Sequence, residues 1–244
     1  LPGRNLGPTT MGGRISDIAV YDPEPRIFYV ASASGGLWKT TSGGVKFEPV
    51  FYRESSVALG GVSVSQRDPN LVWVGTGEQN NRNSSSWGDG VYKSTDGGAK
   101  WTHMGLKATK HVSRVIIHPK DDNVVYVAAL GSLWGPSEDR GIYQTRDGGK
   151  TWKKVLAGEN NLTGFIDLQM DPKNPDVLIA SSYQRRRWAY RWESGGPGSA
   201  VYRSTNGGKS WTKITRGIPE GNKGRIGLSY FDANPKIVVA CIEH

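Results

Sequence analysis

One eight-residue pattern recurs along the chain and limits what it can fold into. It reads Ser94-Thr95-Asp96-Gly97-Gly98-Ala99-Lys100-Trp101, then Thr145-Arg146-Asp147-Gly148-Gly149-Lys150-Thr151-Trp152, then Ser204-Thr205-Asn206-Gly207-Gly208-Lys209-Ser210-Trp211. A degenerate fourth copy is Thr40-Thr41-Ser42-Gly43-Gly44-Val45-Lys46-Phe47. A short polar residue precedes a glycine pair, and an aromatic follows that residue by five positions. Asp or Asn accepts backbone N–H groups of the turn it begins. The glycines supply the positive φ of a tight hairpin, and the aromatic is the first large apolar residue of the returning strand. Asp96, Asp147 and Asn206 therefore read as turn-fixing residues, and Trp101, Trp152 and Trp211 as plugs between neighbouring sheets.

The first glycine of each pair sits at Gly43, Gly97, Gly148 and Gly207, spacings of 54, 51 and 59 residues. Repeats of that length made of short strands mean a propeller or a solenoid. A second signal runs in phase. Apolar segments beginning near Arg14, Val62, Arg114, Phe165 and Arg225 each open a repeat. Turns carrying Pro, Asn or Asp follow, then second strands over 27–31, 71–75, 124–128, 177–180 and 237–241. A third strand enters each glycine hairpin and a fourth leaves it. The expectation is an all-β β-propeller of four-stranded blades, about 14–51, 59–106, 111–156 and 162–214, with a half blade at 224–244, in a single domain over 1–244. Because a half blade leaves an open edge, the expected setting is a larger propeller. Residues 1–13 read as an irregular lead-in with one short strand.

Composition narrows the function classes. The formal charge is +9, read first as a basic soluble surface and next as attraction to an acidic partner. No Lys/Arg stripe interleaves with aromatics, so nucleic acid is not expected. No run of about 18 apolar residues is present to span a membrane. The single cysteine, Cys241, permits no internal disulfide and reads as a small buried residue of a strand. His103, His111, His118 and His244 lack metal-ligand spacing, so neither metal nor other cofactor is expected. The chain begins at Leu1, with no visible leader peptide.

The expanded connections all fall between second and third strands, at 76–90, 129–140 and 181–199. They should gather at one mouth of the channel, opposite the glycine hairpins. They carry the candidate binding residues Glu78, Arg82, Trp87, Trp134, Arg140, Arg186, Trp188, Tyr190, Arg191 and Trp192. Aromatic and arginine enrichment on loops of a rigid scaffold is the mark of a recognition surface. Arg14, Arg114 and Arg225 recur just before the first strands, where they can ring the mouth or pair with carboxylates such as Asp17 and Asp167. Arg185-Arg186-Arg187-Trp188 reads by itself as a solvated loop, and beside Tyr190, Arg191 and Trp192 as the leading candidate for a contact surface.

The hairpin copies resemble the Asp-box, or bacterial neuraminidase repeat, of sialidases, xyloglucanases and sortilin-type propellers. A wider set of strings is similar to the start of large exported bacterial proteins of the sortilin-like, "glycosyl hydrolase"-labelled kind. These strings are Asn5-Leu6-Gly7-Pro8, Gly35-Gly36-Leu37-Trp38-Lys39, Val74-Gly75-Thr76-Gly77-Glu78 and Ser194-Gly195-Gly196-Pro197-Gly198. The resemblance implies an extracytoplasmic protein, periplasmic, surface-bound or secreted. It also implies a protein subunit, peptide or polysaccharide as partner, or a place in a larger assembly in which the propeller is a rigid spacer. A sialidase would carry Pro after Arg14-Ile15, where Ser16 stands. A xyloglucanase-type enzyme would carry an aspartate in the first repeat, where Thr41 stands. Glycoside hydrolysis generally needs two facing carboxylates. The candidates are Glu78 and Glu193, with Glu138 and Asp139 behind them, and they read as solvated or arginine-paired. The expectation is a non-catalytic binding or scaffold propeller, with a glycoside hydrolase as the alternative.

Overall fold

The structure, a computed structural model, describes residues 14–82 and 85–244; the expected lead-in over 1–13 lies outside the described residues. The chain is a β-propeller. Four sequential antiparallel sheets each run in chain order from an inner to an outer strand. The first comprises β1 (Ile15–Val20), β2 (Phe28–Ser32), β3 (Gly36–Thr40) and β4 (Glu48–Phe51). The second comprises β5 (Leu59–Val64), β6 (Val72–Thr76), β7 (Val91–Ser94) and β8 (Thr102–His103). The third comprises β9 (Val112–His118), β10 (Asp121–Ala129), β11 (Gly141–Thr145) and β12 (Lys153–Leu156). The fourth has β13 (Thr163–Met170), β14 (Leu178–Arg187), β16 (Val201–Ser204) and β17 (Thr212–Ile214), with β15 (Trp192–Ser194) paired to the far end of β14. A fifth pair, β18 (Ile226–Tyr230) and β19 (Val238–Ile242), follows.

Burial explains how the sheets fan. The inner strands pack one on the next, β1 on β5, β5 on β9, β9 on β13 and β13 on β18. One apolar cluster fills each junction. Tyr29, Leu37 and Phe51 of the first sheet meet Leu59, Val72 and Val74 of the second. Trp73 and Val91 meet Val112, Val125 and Val127 at the next junction. Tyr126 and Ile142 meet Phe165 and Leu178 at the third, and Ile179 and Val201 meet Ile226 and Leu228 at the last. Each fully buried aliphatic side chain contributes about 1.5–3 kcal/mol, so both faces of the middle sheets are covered and their strands read as near-continuous apolar runs.

The hairpins have one geometry in all four copies. The Asp96 carboxylate accepts the Lys100 N–H at 2.9 Å, and Ser94 Oγ accepts the Gly98 N–H at 2.8 Å. Asp147 accepts from Thr151 at 2.9 Å, Asn206 from Ser210 at 3.0 Å and Ser42 from Lys46 at 2.9 Å. The Thr151 hydroxyl, which donates to Asp147 at 2.6 Å, then the Thr151 N–H and the Thr145 hydroxyl, hold the Asp147 carboxyl well below the usual carboxylate range. Gly97 and Gly98 sit at φ 71° and 97°, which an L side chain adopts only with strain.

Each tryptophan reaches back to the preceding sheet. The Trp101 ring stands edge-on to Phe51, with centroids 5.0 Å apart, and its indole N–H donates to the Val50 carbonyl at 2.6 Å. Trp152 meets Trp73 edge-on at 6.0 Å and donates to the Met104 carbonyl at 2.7 Å. Trp211, with Val155, packs against the apolar cluster of the third junction, which includes Tyr126. Trp101→Ala is expected to lower the unfolding free energy by about 3 kcal/mol, the low end for a large-to-small aromatic change, read by chemical denaturation. An unchanged midpoint would remove the plug role.

Arg114, on β9, reaches two other inner strands. Its guanidinium donates to Asp17 of β1 at 2.8 Å and to Asp167 of β13 at 3.1 Å. The two carboxylates also accept neighbouring inner-strand N–H groups, Asp17 from Val62 at 3.0 Å and Asp167 from Leu228 at 2.9 Å. This Asp–Arg–Asp bridge ties the first, third and fourth sheets together. Burial lifts the Asp17 carboxyl above its usual range, with Arg114 pulling it back.

Two local expectations differ from the structure. The second strand of the fourth sheet does not stop at Ala180 but continues to Arg187, because the 181–199 insert folds as a hairpin extension and gives that stretch a new pairing partner. Cys241 is exposed. Among the described residues β19 pairs with β18 alone, so nothing covers its outer side.

Candidate functional site

The channel mouth opposite the Asp-box hairpins is built from the three inserts. The first of them turns inward at Gly77, where φ is +89° and a Cβ would lie 2.0 Å from the Lys110 carbonyl oxygen. Residues 78–81 then lie across the mouth. Glu78 is 1% exposed and accepts the Arg14 Nε–H at 2.8 Å. The Gln79 side-chain amide donates to the Ser16 and Gly60 carbonyls at 2.8 and 3.0 Å, and its backbone carbonyl accepts the Arg185 guanidinium at 2.9 Å. Asn80 Oδ1 accepts Arg225 at 2.8 Å, and Asn81 bonds both Arg185 and the Tyr183 hydroxyl. A segment of the second sheet's insert is thus fastened to the first, second, fourth and fifth sheets, and to the third through His111, which precedes β9. It is a plug.

The plug sits on buried cations. Arg185 is 0% exposed. Its Nη1 is hydrogen-bonded to the plug, whereas Nε and Nη2 are buried without a partner. Desolvation, with Arg140 and Arg225 nearby, draws its pKa down to about 9. His111 is equally enclosed. Its Nδ1–H donates to the Glu78 carbonyl at 2.9 Å, which sets the tautomer. Burial first, and Arg185 second, depress its pKa to about 3, so it is neutral.

The second insert folds around Arg140. That side chain, expected on the outer surface, is 2% exposed. Its guanidinium donates to the carbonyls of Asn161 at 2.8 Å and Gly135 at 3.1 Å, and also to those of Leu130 and Ser132. Arginine fits here because one planar group can serve several carbonyls that would otherwise be orphaned. Trp134, on the same insert, is 42% exposed.

The third insert is the β14–β15 hairpin, in register Arg185↔Ser194, Arg186↔Glu193 and Arg187↔Trp192. The Arg187 N–H donates to the Leu133 carbonyl at 2.9 Å, so this hairpin leans on the second insert. At its tip two guanidinium groups lie over the Trp188 ring, Arg186 at 4.3 Å and Arg191 at 5.2 Å from the centroid. Arg187 lies over Trp192 at 5.9 Å. Such stacking contributes about 0.5–1 kcal/mol at exposed sites and fixes the ring orientations. Tyr190 is 87% exposed, and Trp87, with Lys110 over its ring at 5.5 Å, is 62% exposed. Arg82 is exposed. Glu193 forms an ion pair with Arg191.

The inserts therefore converge, but the candidate residues divide. Trp87, Trp134, Trp188, Tyr190, Arg191 and Trp192 face outward or lie at the surface, whereas Arg14, Glu78 and Arg140 hold the mouth together. Arg14, Arg114 and Arg225 are all engaged with carboxylates or amides. Sequence reasoning missed Arg185 and His111 as parts of the closure. The signal was the amide run Gln79-Asn80-Asn81, a set of donors and acceptors suited to fastening a loop over a crowded mouth. Among the described residues no group of three or more His, Cys, Asp or Glu is placed to hold a metal ion, and no helix is long and apolar enough to cross a membrane.

The family model described as Sortilin-Vps10 (Sortilin, neurotensin receptor 3) matches residues 89–223. A xyloglucanase of Hypocrea jecorina is 28% identical, across 88% of this chain and 26% of its own length. The photosystem II assembly lipoprotein Ycf48 of Trichormus variabilis is 29% identical, across 50% of this chain and 41% of its own. Among solved structures, the GH74 enzyme of Niastella koreensis superposes with a TM-score of 0.68 at 18% identity, across 93% of this chain and 33% of that one. The chain spans about a quarter of the length of the xyloglucanases it matches.

Proposed function

This chain belongs to the Sortilin-Vps10 family of Asp-box propellers, and from that premise we propose a non-catalytic binding module that works outside the cytoplasm. Its plugged mouth recognises a protein, peptide or glycan chain. One observation carries the reading: the mouth presents Trp87, Trp134 and Tyr190, 62%, 42% and 87% exposed, on a backbone fastened from five sheets. Large rings held at the surface of a rigid frame are the residues from which binding hot spots are made. Trp188 and Trp192, braced by arginines, complete the surface. The candidate acids are engaged elsewhere, Glu78 with Arg14 and Glu193 with Arg191.

The similarity to xyloglucanases favours a second reading, in which the module is the carbohydrate-binding half of a glycoside hydrolase whose reacting carboxylates lie outside this chain. In both readings the same rings hold the ligand. Titration of the full chain with xyloglucan oligosaccharides and with an array of extended peptides is expected to find a saturable ligand. Trp188→Ala and Trp192→Ala are each expected to weaken it at least tenfold, about 1.4 kcal/mol, with unchanged thermal unfolding. Undiminished affinity in both variants would remove the mouth as the binding surface.

A further inference from the structure

Among the described residues, the opposite end of the propeller carries grooves at three successive junctions, each between the outer strands of one sheet and the Asp-box hairpin of the next. The groove between the first and second sheets, about 400 Å³, is lined by Lys39 and Arg53 with Glu48, Glu54 and Asp96. The groove between the second and third, about 480 Å³, has Lys93, Lys100 and Lys150 with Asp96 and Asp147. The third, between the third and fourth sheets, is about 580 Å³ and is lined by Arg146, Lys153, Lys154 and Lys209 with Trp152 and Val155, and by no carboxylate. Its volume lies within the roughly 300–1,000 Å³ of clefts that take small ligands.

The cations of this third groove differ in their freedom. Lys154 turns its Nζ to the Glu138 carbonyl and lies over the Tyr143 ring at 5.5 Å, so it lends the groove its stem. Arg146 donates Nε to Gln144 at 3.3 Å, and its Nη2 and the Asp176 carboxylate both lie beside Gly207 without forming an ion pair. Among the described residues Arg146, Lys153 and Lys209 are exposed and form no ion pair. Three exposed cations around one concavity, none of them in an ion pair, raise each other's electrostatic energy, and an anionic ligand relieves that repulsion. This is the local expression of the chain's +9 charge.

We propose that the groove between the third and fourth sheets binds an acidic oligosaccharide, its sulfate or carboxylate groups held by Arg146, Lys153 and Lys209 and a sugar ring set against Trp152. Cations separated along a groove suit oxyanions repeated along a chain better than one compact phosphate. The single indole supplies an apolar face for sugar C–H groups. A strand of bases would need a series of stacking platforms, and the groove has one aromatic.

The test uses the full chain and a heparin-derived hexasaccharide, with polyglutamate and duplex DNA of matched charge as the other arms, at two salt concentrations. The hexasaccharide is expected to bind saturably and to weaken as salt rises. Lys153→Glu with Lys209→Glu should lower its affinity at least tenfold, and Lys153→Ala with Lys209→Ala serves if the reversal unfolds the chain. Arg53→Glu, in the first groove, should stay within twofold of the parent. Trp188→Ala should leave this binding untouched, which separates it from recognition at the mouth. Wild-type affinity in the paired variants, or an equal loss in Arg53→Glu, would overturn the site. DNA or polyglutamate binding as tightly as the hexasaccharide would overturn the sugar.

Discussion

Arg114→Met is expected to lower the unfolding free energy by about 3–5 kcal/mol, the cost of leaving buried charge without its partner. The side chains of Asp17 and Asp167 are 10% and 9% exposed, and each has its arginine within 3.1 Å. Without the guanidinium, two carboxylates from the first and fourth sheets are left close together in a desolvated space. Burial already lifts the Asp17 carboxyl, while the pull of both aspartates outweighs burial at Arg114 and holds its pKa up. The same substitution combined with Asp17→Asn and Asp167→Asn should recover most of the loss, because an amide oxygen still accepts the Val62 and Leu228 N–H groups without carrying charge. Denaturant titration of the single and triple variants measures both. A triple variant no more stable than Arg114→Met would show that the bridge acts by packing rather than by charge.

The second large effect is a pH dependence centred on His111. Its pKa falls from 6.5 in the unfolded chain to about 3 in the folded one, so between those values the unfolded state binds the extra proton. Stability from the neutral ring is complete above pH 6.5. It is lost as pH falls, by about 1.4 kcal/mol for each pH unit at full slope, until the folded-state value is passed. His111→Asn keeps a donor for the Glu78 carbonyl but cannot titrate. The difference in stability between parent and variant should therefore change with pH from 6.5 downward, with the variant gaining relative ground in acid. A difference that is flat across this range would mean that the ring is solvated and the plug is open.

The fold was legible because its signals are local and repeated. Asp96, Asp147, Asn206 and Ser42 each make their bond within a span of four residues, and such chemistry is written in the sequence. The junction tryptophans were legible for a similar reason, since an aromatic at fixed phase must meet the same layer in each sheet. The mouth was only half legible. Where the inserts fall follows from strand order, but what they do depends on contacts such as Asn81 with Arg185, 104 residues apart. A run of three arginines reads as a solvated loop because charge is costly to bury. Here β-pairing with β15 turns Arg185 inward and Arg186 onto the Trp188 ring. Arg140 misled in the same way, as its partners are backbone carbonyls that carry no side-chain signal.

The central claim is that acids at this mouth hold it closed and leave recognition to the rings around it. Xyloglucan turnover by the full chain, followed as release of reducing ends in the parent, Glu78→Gln and Glu193→Gln, tests that claim most directly. The account predicts no release that depends on either carboxylate. Turnover by the parent that disappears in Glu78→Gln or Glu193→Gln, with the fold and oligosaccharide binding retained, would contradict it.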